Sequence, residues 1–299
     1  MTDFRGAPGL SVVIPCLGHA AELGACLAAL STQDGDPSYE IVVVDSANDD
    51  RVAEVASAFP GVKLVRSDAN LSAGPARNLG VSRAAGEVLV FTDADCIPER
   101  GFLRAARAAL DHGAKLVTGP VGNAPGGFVA SCDNLLQFAD FSAGRKSGPA
   151  TYAPGCNLAM RKADFLAAGA FPRTRAEDTL LSAAVAATWP KKAIFDSNMR
   201  VRHHGRATLA QMLAHHRAFG ADRAVHDQSL RLWQRRLGRY GVMLLPVVVK
   251  RLSYIASRTL RYSPRRALFL ICAAPVLILG LVAWARGFRE GLRVNDRET

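Results

Sequence analysis

The sequence predicts an α/β protein with a mostly parallel sheet flanked by helices and with a separate helical tail. Short apolar segments alternate with helix-like segments in the first third of the chain, and the last quarter is apolar and basic. Such alternation produces βαβ units and therefore a parallel sheet. The chain has 299 residues, of which 49% are hydrophobic and 21% charged, so it can bury a core of the required size.

Four strands are predicted from short apolar runs. LSVVIP (10–15), EIVVVDS (40–46) and VKLVRS (62–67) are rich in β-branched residues, and a segment with helical spacing follows each of them. EVLVFTDAD (87–95) is predicted as the fourth strand. These strands are apolar without alternation, as burial on both faces requires. We therefore expect one helix-covered domain over residues 8–225.

Carboxylates close two of the predicted strands. Asp45 ends the second strand, and Asp93 and Asp95 end the fourth. In open α/β sheets ligands bind beyond the carboxyl ends of the strands, so we expect these residues near a ligand. Aspartates at strand ends also occur as turn residues, which is the structural alternative. As ligands, their oxygens would suit Mg²⁺ or Mn²⁺, and either ion would bring a diphosphate with it.

The tail, residues 226–299, carries most of the net charge. It holds 14 Lys and Arg residues and 4 Asp and Glu residues, whereas the whole chain has a net charge of +11. Within it the uncharged run 267–285 would form a helix about 28 Å long, close to the roughly 30 Å core of a bilayer. Arginines flank this run on both sides, as beside anionic headgroups. We expect a transmembrane helix or, as the alternative, a buried helix, and Pro275 weakens a straight span.

A second apolar segment, 241–257, has Lys250 and Arg251 at its middle. A helix of this kind lies in the membrane interface with its basic side chains reaching the headgroups. Because the first residues lead directly into a strand, we expect the folded domain on the cytoplasmic face, at the inner membrane if the source is bacterial. The six cysteines lack metal-binding spacing, so we expect them to be buried small hydrophobic residues.

Six motifs follow one another along the chain: SVVIP, EIVVVDS, GPARNLG, VLVFTDAD, GCNLAMRKADFLAAGAF and AEDTLL. In this order they resemble the motifs of family 2 glycosyltransferases, which have the GT-A fold of nucleotide-diphospho-sugar transferases. The resemblance implies an inverting transfer of a sugar from a nucleotide-diphosphate sugar, a UDP-sugar by default, with Mg²⁺ or Mn²⁺ as cofactor. The QxxRW motif of polymerising members is absent after Asp178, so we expect a single addition.

The resemblance also implies roles for individual residues around the nucleotide and the metal. The implied nucleotide contacts are Pro15, Asp45, Arg77, Asn78 and Asp93. For Arg77 the structural alternative is an arginine that caps its own loop. The implied metal ligands are Asp95, Asp93 and His203, with His204 as the alternative histidine. A zinc site is disfavoured because no Cys or acidic residue is suitably spaced from the four histidines at 203, 204, 215 and 216.

AEDTLL corresponds to the segment that carries the catalytic base in the family. Asp178 is the predicted base, and Glu177 is the reserve candidate or an orienting group. The alternative is that both residues simply begin a helix, since carboxylates favour helix N-termini. Gly155, Cys156 and Asn157 correspond to the segment near the acceptor and the donor sugar. We do not predict Cys156 as a nucleophile, because nothing in the sequence indicates a lowered thiol pKa.

The expected partners are the sugar donor, an anionic membrane surface and a lipid or lipid-linked acceptor. Nucleic acid is not expected, because the positive charge flanks apolar helices and aromatic residues make up only 7% of the chain. A nucleotidyltransferase and a non-catalytic protein that binds nucleotide or lipid at a membrane surface remain alternatives. A dehydrogenase of Rossmann type and a P-loop enzyme are excluded, because neither glycine-rich motif is present.

Overall fold

The computed structural model describes residues 8–34, 38–174, 176–226 and 244–294. Contacts within the chain divide it into two compact units. Unit 1 comprises Met1–Gly122 and Arg145–His203, and unit 2 comprises Asn123–Gly144 and His204–Thr299. The predicted domain boundary between residues 225 and 226 adjoins a segment outside the described residues, and it stays a prediction.

Unit 1 is built on an eight-stranded sheet and a three-stranded sheet. The strands described are β1 (Leu10–Cys16), β2 (Tyr39–Asp45), β3 (Val62–Arg66), β4 (Val88–Phe91), β5 (Cys96–Pro98), β6 (Leu116–Thr118), β7 (Val121–Asn123), β8 (Gly148–Pro149), β9 (Leu158–Arg161), β10 (Ala193–Phe195) and β11 (Val201–His203). The large sheet has the order β3-β2-β1-β4-β9-β6-β10-β8, and the small sheet has the order β5-β11-β7.

The first half of the large sheet confirms the predicted βαβ rhythm. Strands β1 to β4 are parallel, and the register places Cys16, Asp45 and Arg66 side by side at their carboxyl ends. Three helices, α1 (Ala20–Leu30), α2 (Asp50–Ser57) and α3 (Ala73–Arg83), alternate with these strands. The second half is mixed, because β9 runs antiparallel between β4 and β6. The fold is thus of GT-A type with a mostly parallel sheet, as expected.

The fourth strand is shorter than predicted, since β4 ends at Phe91 and the two following aspartates lie in a turn. Helices α4 (Phe102–Asp111), α6 (Lys162–Ala167) and α7 (Glu177–Thr188) complete unit 1, and α5 (Phe128–Phe138) belongs to unit 2. A buried cluster beneath the turn contains Phe91, Phe165 and Phe171. Their ring centroids lie 5.1–5.3 Å apart in tilted and edge-on arrangements, which suit aromatic quadrupoles.

Unit 2 is helical in its described residues, apart from the end of β7. Its helices are α5 (Phe128–Phe138), α8 (Leu209–His226), α9 (Leu244–Tyr262) and α10 (Ala267–Val294). They enclose an apolar core that includes Leu136, Met212, Ile255, Leu277 and Trp284. The predicted interfacial segment 241–257 corresponds to α9 from residue 244 onward, while its first three residues lie outside the described residues.

Glycines allow α8 and α10 to pack with their backbones in contact. A Cβ atom at Gly287 would overlap the carbonyl oxygen of Arg217, and one at Gly220 would overlap that of Trp284. The Arg217 guanidinium also forms two hydrogen bonds with the Glu290 carboxylate, at 2.8 and 2.9 Å. The C-terminal half of α10 is therefore held against a polar helix.

A buried carboxylate links α5 to α8. Asp133 is fully buried, and its carboxylate lies 2.9 Å from Nε2 of His216 and accepts a 2.9 Å hydrogen bond from the backbone N–H of Arg206. Burial alone would raise the pKa of Asp133, but the His216 and Arg206 contacts outweigh it and lower the pKa below its usual value. This network replaces the water that the carboxylate loses on folding.

Helix α10, with the turn before it, is long and apolar enough to cross a membrane over Pro264–Arg293. One face packs into the core of unit 2, where Ala273, Leu277 and Leu281 are buried. The opposite face exposes apolar side chains, with Leu268 at 72% and Ile271 at 71% of full exposure. The helix is therefore not buried on all sides, as the alternative of a buried helix would require.

Candidate active site and metal centre

The candidate site lies where β4 gives way to the turn that holds Asp93 and Asp95. Strand β5 begins directly after this turn and pairs with β11 in antiparallel register, so that Cys96 lies opposite His203. Residues opposite each other in such a pair project their side chains from the same face of the sheet. The short sheet thereby brings His203 to the turn.

Asp95, Cys96 and His203 form a cluster whose potential ligand atoms all lie within 4.8 Å of one another. The Asp95 carboxylate oxygen is 3.5 Å from Nε2 of His203. Two ligands that each lie about 2.1 Å from one ion at a tetrahedral angle are separated by roughly 3.4 Å, so this pair fits a divalent metal. Asp93, which was also predicted as a ligand, lies outside this cluster. The metal role of Asp93 stays a prediction.

Arg77 joins the two acidic motifs. It lies on α3, is 2% exposed, and donates hydrogen bonds to Asp93 at 2.5 Å and to Glu177 at 2.9 Å. Burial alone would lower the pKa of Arg77, but Asp93 and Glu177 raise it above its usual value, so the guanidinium stays charged. One cation thus holds together carboxylates from segments far apart in sequence. The alternative of an arginine that caps its own loop is not what the structure contains.

Gly155 makes room for this guanidinium. A Cβ atom at Gly155 would lie 2.6 Å from Cζ of Arg77, closer than real Cβ contacts allow. The absence of a side chain, and not an unusual backbone conformation, is therefore what this position requires. The backbone N–H of Gly155 also donates to the Asp178 carboxylate at 3.2 Å.

Glu177 begins α7 and has an unusual protonation equilibrium for a carboxyl group. Burial raises its pKa to about 7, although the Arg77 charge lowers it and the Asp178 charge raises it further. Its carboxyl group accepts the hydrogen bond from Arg77. Glu177 is therefore held in place by Arg77, and its role as reserve base or as orienting group stays a prediction.

Asp178, the predicted base, is half-buried and is held by neutral donors. The Tyr152 hydroxyl donates to Oδ2 at 2.6 Å, and the backbone N–H of Thr179 donates to Oδ1 at 2.6 Å. Burial, and then the Asp178 charge, raise the pKa of Tyr152 well above its usual value, so its hydroxyl remains a donor. No cation lies in direct contact with Asp178 among the described residues that surround it.

The remaining residues predicted for nucleotide contact have partners within the protein. Asp45 is fully buried and accepts hydrogen bonds from the backbone N–H groups of Ala47 and Asp49 at 3.1 and 2.9 Å. Asn78 exchanges two hydrogen bonds with the backbone of Phe171, at 2.7 and 3.2 Å. Pro15 lies inside β1. The nucleotide roles of these residues stay predictions.

The segment after Gly155 is buried beneath the site. Asn157 donates from its amide to the carbonyls of Pro120 and Met199 at 3.1 and 3.0 Å, which ties three segments together. Cys156 is 4% exposed. The thiol contact with Cys96 lowers the pKa of Cys156, but burial together with the charges of Asp93 and Asp95 outweighs it, and the net pKa is raised above its usual value. That Cys156 is no nucleophile stays a prediction.

Two residues at the site were missed from the sequence. Tyr152 precedes the GCN segment by a few residues, but nothing in the sequence connects its hydroxyl to Asp178. Cys96 follows the second aspartate of the turn directly, and its adjacency to Asp95 was the available signal. Cys96 was expected to be a buried small residue, and it is 0% exposed, but that expectation gave its sulfur no role at the site.

A family model, "Glycosyl transferase family 2", matches residues 11–165, which is more than half of the chain. The chain belongs to glycosyl transferase family 2. Among curated relatives of the family, the glycosyltransferase AglE of Haloferax volcanii is 32% identical over 120 residues, which cover 38% of this chain and 40% of AglE. The chain thus spans well under two-thirds of that relative's length.

Two solved glycosyltransferase structures share the fold. The mannosyltransferase PcManGT from Pyrobaculum calidifontis, in complex with GDP-Man and Mn²⁺, has a TM-score of 0.55 at 20% identity. The aligned part covers 92% of this chain and 88% of the PcManGT chain. TarS 1–349 of S. aureus, in complex with UDP-GlcNAc, has a TM-score of 0.53 at 16% identity. The aligned part covers 94% of this chain and 92% of the TarS chain. At these identities the likeness establishes the GT-A fold.

Proposed function

We propose that this family 2 member is an inverting glycosyltransferase that adds a single sugar from a nucleotide-diphosphate sugar to a membrane-associated acceptor. The observation that carries this proposal is the bridge that Arg77 forms between Asp93 and Glu177. It brings the metal-side turn and the ED pair into one site. Membership of the family supports the reaction class.

In the proposed reaction, Asp178 is the general base. The acceptor oxygen forms a bond to the anomeric carbon of the donor, the bond from that carbon to the phosphate oxygen breaks, and the hydroxyl proton passes to Asp178. Hydrogen bonds from Tyr152 and from the Gly155 backbone orient the carboxylate toward the acceptor. Glu177 and Arg77 keep the start of α7 in place.

Asp95 and His203 are the proposed protein ligands of a divalent ion at this site. When bound, such an ion supplies positive charge to the departing diphosphate. The Mn²⁺ in the PcManGT complex supports this assignment by analogy of fold. The nucleotide is left open between uridine and guanosine, because the two structural neighbours bind GDP-Man and UDP-GlcNAc respectively.

The membrane part of the proposal depends on unit 2. Helix α9 exposes Leu245 and Val249, and α10 exposes Leu268 and Ile271, each by more than half of its surface. Arg265 and Arg266 precede α10 and are exposed. Apolar side chains beside exposed arginines match the boundary of an anionic bilayer.

The proposed contact is with one leaflet. The exposed apolar residues of α10 extend from Leu268 to Leu279, a rise of about 17 Å, which is roughly half of a bilayer core. The same face continues with the exposed charges Arg286, Glu290 and Arg293. A lipid or lipid-linked acceptor held in that leaflet is the proposed substrate.

The donor site is tested by calorimetric titration of the detergent-solubilised protein with a panel of nucleoside diphosphates, with and without Mn²⁺. We expect binding of one nucleotide that requires Mn²⁺ and that is weakened at least about 100-fold by Asp95→Ala. Asp50→Asn, an exposed carboxylate on α2, is the control and should bind as the wild type does. Absence of binding to every nucleotide would contradict the proposal.

The membrane contact is tested through Cys272, the one exposed cysteine among the six, all of which are described. A polarity-sensitive fluorophore on this thiol should shift to the blue with anionic vesicles and less with neutral ones. Leu268→Glu should weaken the partitioning by about 10-fold or more. Leu166→Glu, at a 56% exposed position of unit 1, is the control that should leave it unchanged. An unshifted spectrum would contradict the leaflet contact.

A further inference from the structure

Cys96 lies at the metal cluster although none of the expected ligand roles includes it. The antiparallel pairing of β5 with β11 places it opposite His203, so both side chains project from one face of the small sheet. Its sulfur is 3.9 Å from Oδ1 of Asp95. Asp95 is 8% exposed, Cys96 0% and His203 4%. The cluster is therefore a buried site and not a surface group of acids.

The donor set differs chemically from an oxygen-only magnesium site. Asp95 offers a hard oxygen, His203 a nitrogen of intermediate softness, and Cys96 a soft sulfur. Mg²⁺ requires near-ideal octahedral oxygen coordination and retains its waters, whereas thiolate and imidazole ligands favour zinc and its neighbours in the first transition row. Three protein ligands with an open position are also the arrangement of catalytic zinc sites.

We infer that Cys96 is the third protein ligand of the ion in this site, beside Asp95 and His203, and that the site therefore favours Zn²⁺, Co²⁺ and Mn²⁺ over Mg²⁺. This inference rests on the proposed function, because it assumes that an ion binds at Asp95. On binding, the S–H bond of Cys96 breaks, its proton leaves to solvent, and the sulfur electron pair forms the bond to the metal. Both electrons stay on sulfur, so no oxidant or reductant is needed.

The alternative is that Cys96 only fills space and contacts the thiol of Cys156, which lies next to it. The two possibilities differ in what a bound ion would show. A sulfur ligand gives Co²⁺ an intense charge-transfer absorption in the near ultraviolet, whereas oxygen and nitrogen ligands do not. Cys156 offers a matched control, because it is a buried cysteine in the same neighbourhood that is not part of the cluster.

The experiment is a Co²⁺ titration of the metal-stripped, full-length protein in detergent, followed by absorption. We expect a sulfur-to-cobalt band in the wild type and in Cys156→Ser, and its loss in Cys96→Ser. Competition should show that Cys96→Ser weakens Zn²⁺ binding at least about 10-fold, while Mg²⁺ binding changes by less than about 3-fold. If Cys96→Ser fails to fold, a sulfur band that persists in Cys156→Ser and is lost in Asp95→Ala still places the sulfur ligand at the Asp95 cluster.

Three results would overturn the inference, and they are distinguishable. In the first, Co²⁺ binds the wild type without a sulfur band and does not bind Asp95→Ala. This result would remove Cys96 from the ligand set and leave the proposed function intact. Failure of every ion to bind the wild type would overturn both the inference and the proposed metal site. Persistence of the sulfur band in Cys96→Ser, with loss in Cys156→Ser, would assign the sulfur to Cys156 instead.

Discussion

The two units differ in where they depart from the usual distribution of polar and apolar side chains. Unit 1 buries the Arg77 guanidinium at the candidate site, whereas unit 2, besides burying Asp133, exposes large apolar groups such as Leu245 and Leu268. Buried charge and exposed apolar surface are the informative exceptions in a folded protein. In unit 1 the exception is located at the proposed chemistry, and in unit 2 it is located at the proposed membrane contact.

The two units also differ in how the unfavourable placement of these side chains is compensated. Burying a charge is tolerable when partners replace its water, and Arg77 has two carboxylate partners. Exposed leucines in water have no such compensation within the chain. Unit 2 is therefore the unit for which we propose contact with an external apolar phase.

The largest expected effect separates two carboxylates, one in each unit. Asp178→Asn removes the proposed base and should lower kcat by about 10²–10⁴-fold, with nucleotide affinity nearly unchanged. Asp133→Asn disturbs the contact with His216 and should lower the free energy of unfolding by about 1–3 kcal/mol, with kcat within about 2-fold of the wild type. Steady-state kinetics and urea unfolding on both variants provide the measurements. Equal losses of kcat in the two variants would break the comparison.

The next effect concerns the close contact of α8 and α10 in unit 2. Gly287→Ala introduces a Cβ that overlaps the Arg217 carbonyl, so the helices must separate, and we expect a loss of about 1–3 kcal/mol in stability or more. Gly127→Ala, also in unit 2, is the control because a Cβ there meets open space. Thermal unfolding in detergent measures both. An unchanged melting temperature in Gly287→Ala would mean that the helices are not in backbone contact.

The last effect is a pH dependence of stability that originates at Glu177 in unit 1. Burial raises the pKa of Glu177 from 4.5 to about 7 in the folded state, so the folded protein holds this proton more tightly than the unfolded chain does. The contribution to stability is complete below about pH 4.5 and is lost as the pH rises through 7, by up to about 3 kcal/mol.

Urea unfolding of the wild type and Glu177→Gln at several pH values tests this dependence. The difference between the two proteins should favour the wild type at low pH and shrink or reverse above pH 7. Glu54→Gln, an exposed carboxylate on α2, should follow the wild type throughout. A constant difference between wild type and Glu177→Gln over the whole range would show that Glu177 does not titrate in this window.

The first half of the fold could be predicted from the sequence because β1 to β4 are contiguous apolar runs joined by helices. The runs and their order identify parallel βαβ units without any long-range information. The second half could not be predicted in this way, because β5 and β11 are three-residue strands that pair across a long separation in sequence. Short strands have too few residues to show a period.

The acidic residues of the site were predictable by type, and their contacts were not. Asp95, His203 and the ED pair follow from the motif order. The two partners of Arg77, however, lie 16 and 100 positions away from it in the sequence. Such contacts depend on how α3 and α7 pack, which local patterns do not specify. The same limit explains why Tyr152 was missed.

Gly155 restricts how this enzyme family member can be re-engineered. Its missing side chain leaves the volume that the Arg77 guanidinium occupies, so even alanine would displace the cation that joins Asp93 to Glu177. A mutant library aimed at a new acceptor would naturally randomise the GCN segment. Position 155 should be left constant in such a library, because any side chain there would have to displace the Arg77 guanidinium, whatever its effect on acceptor choice.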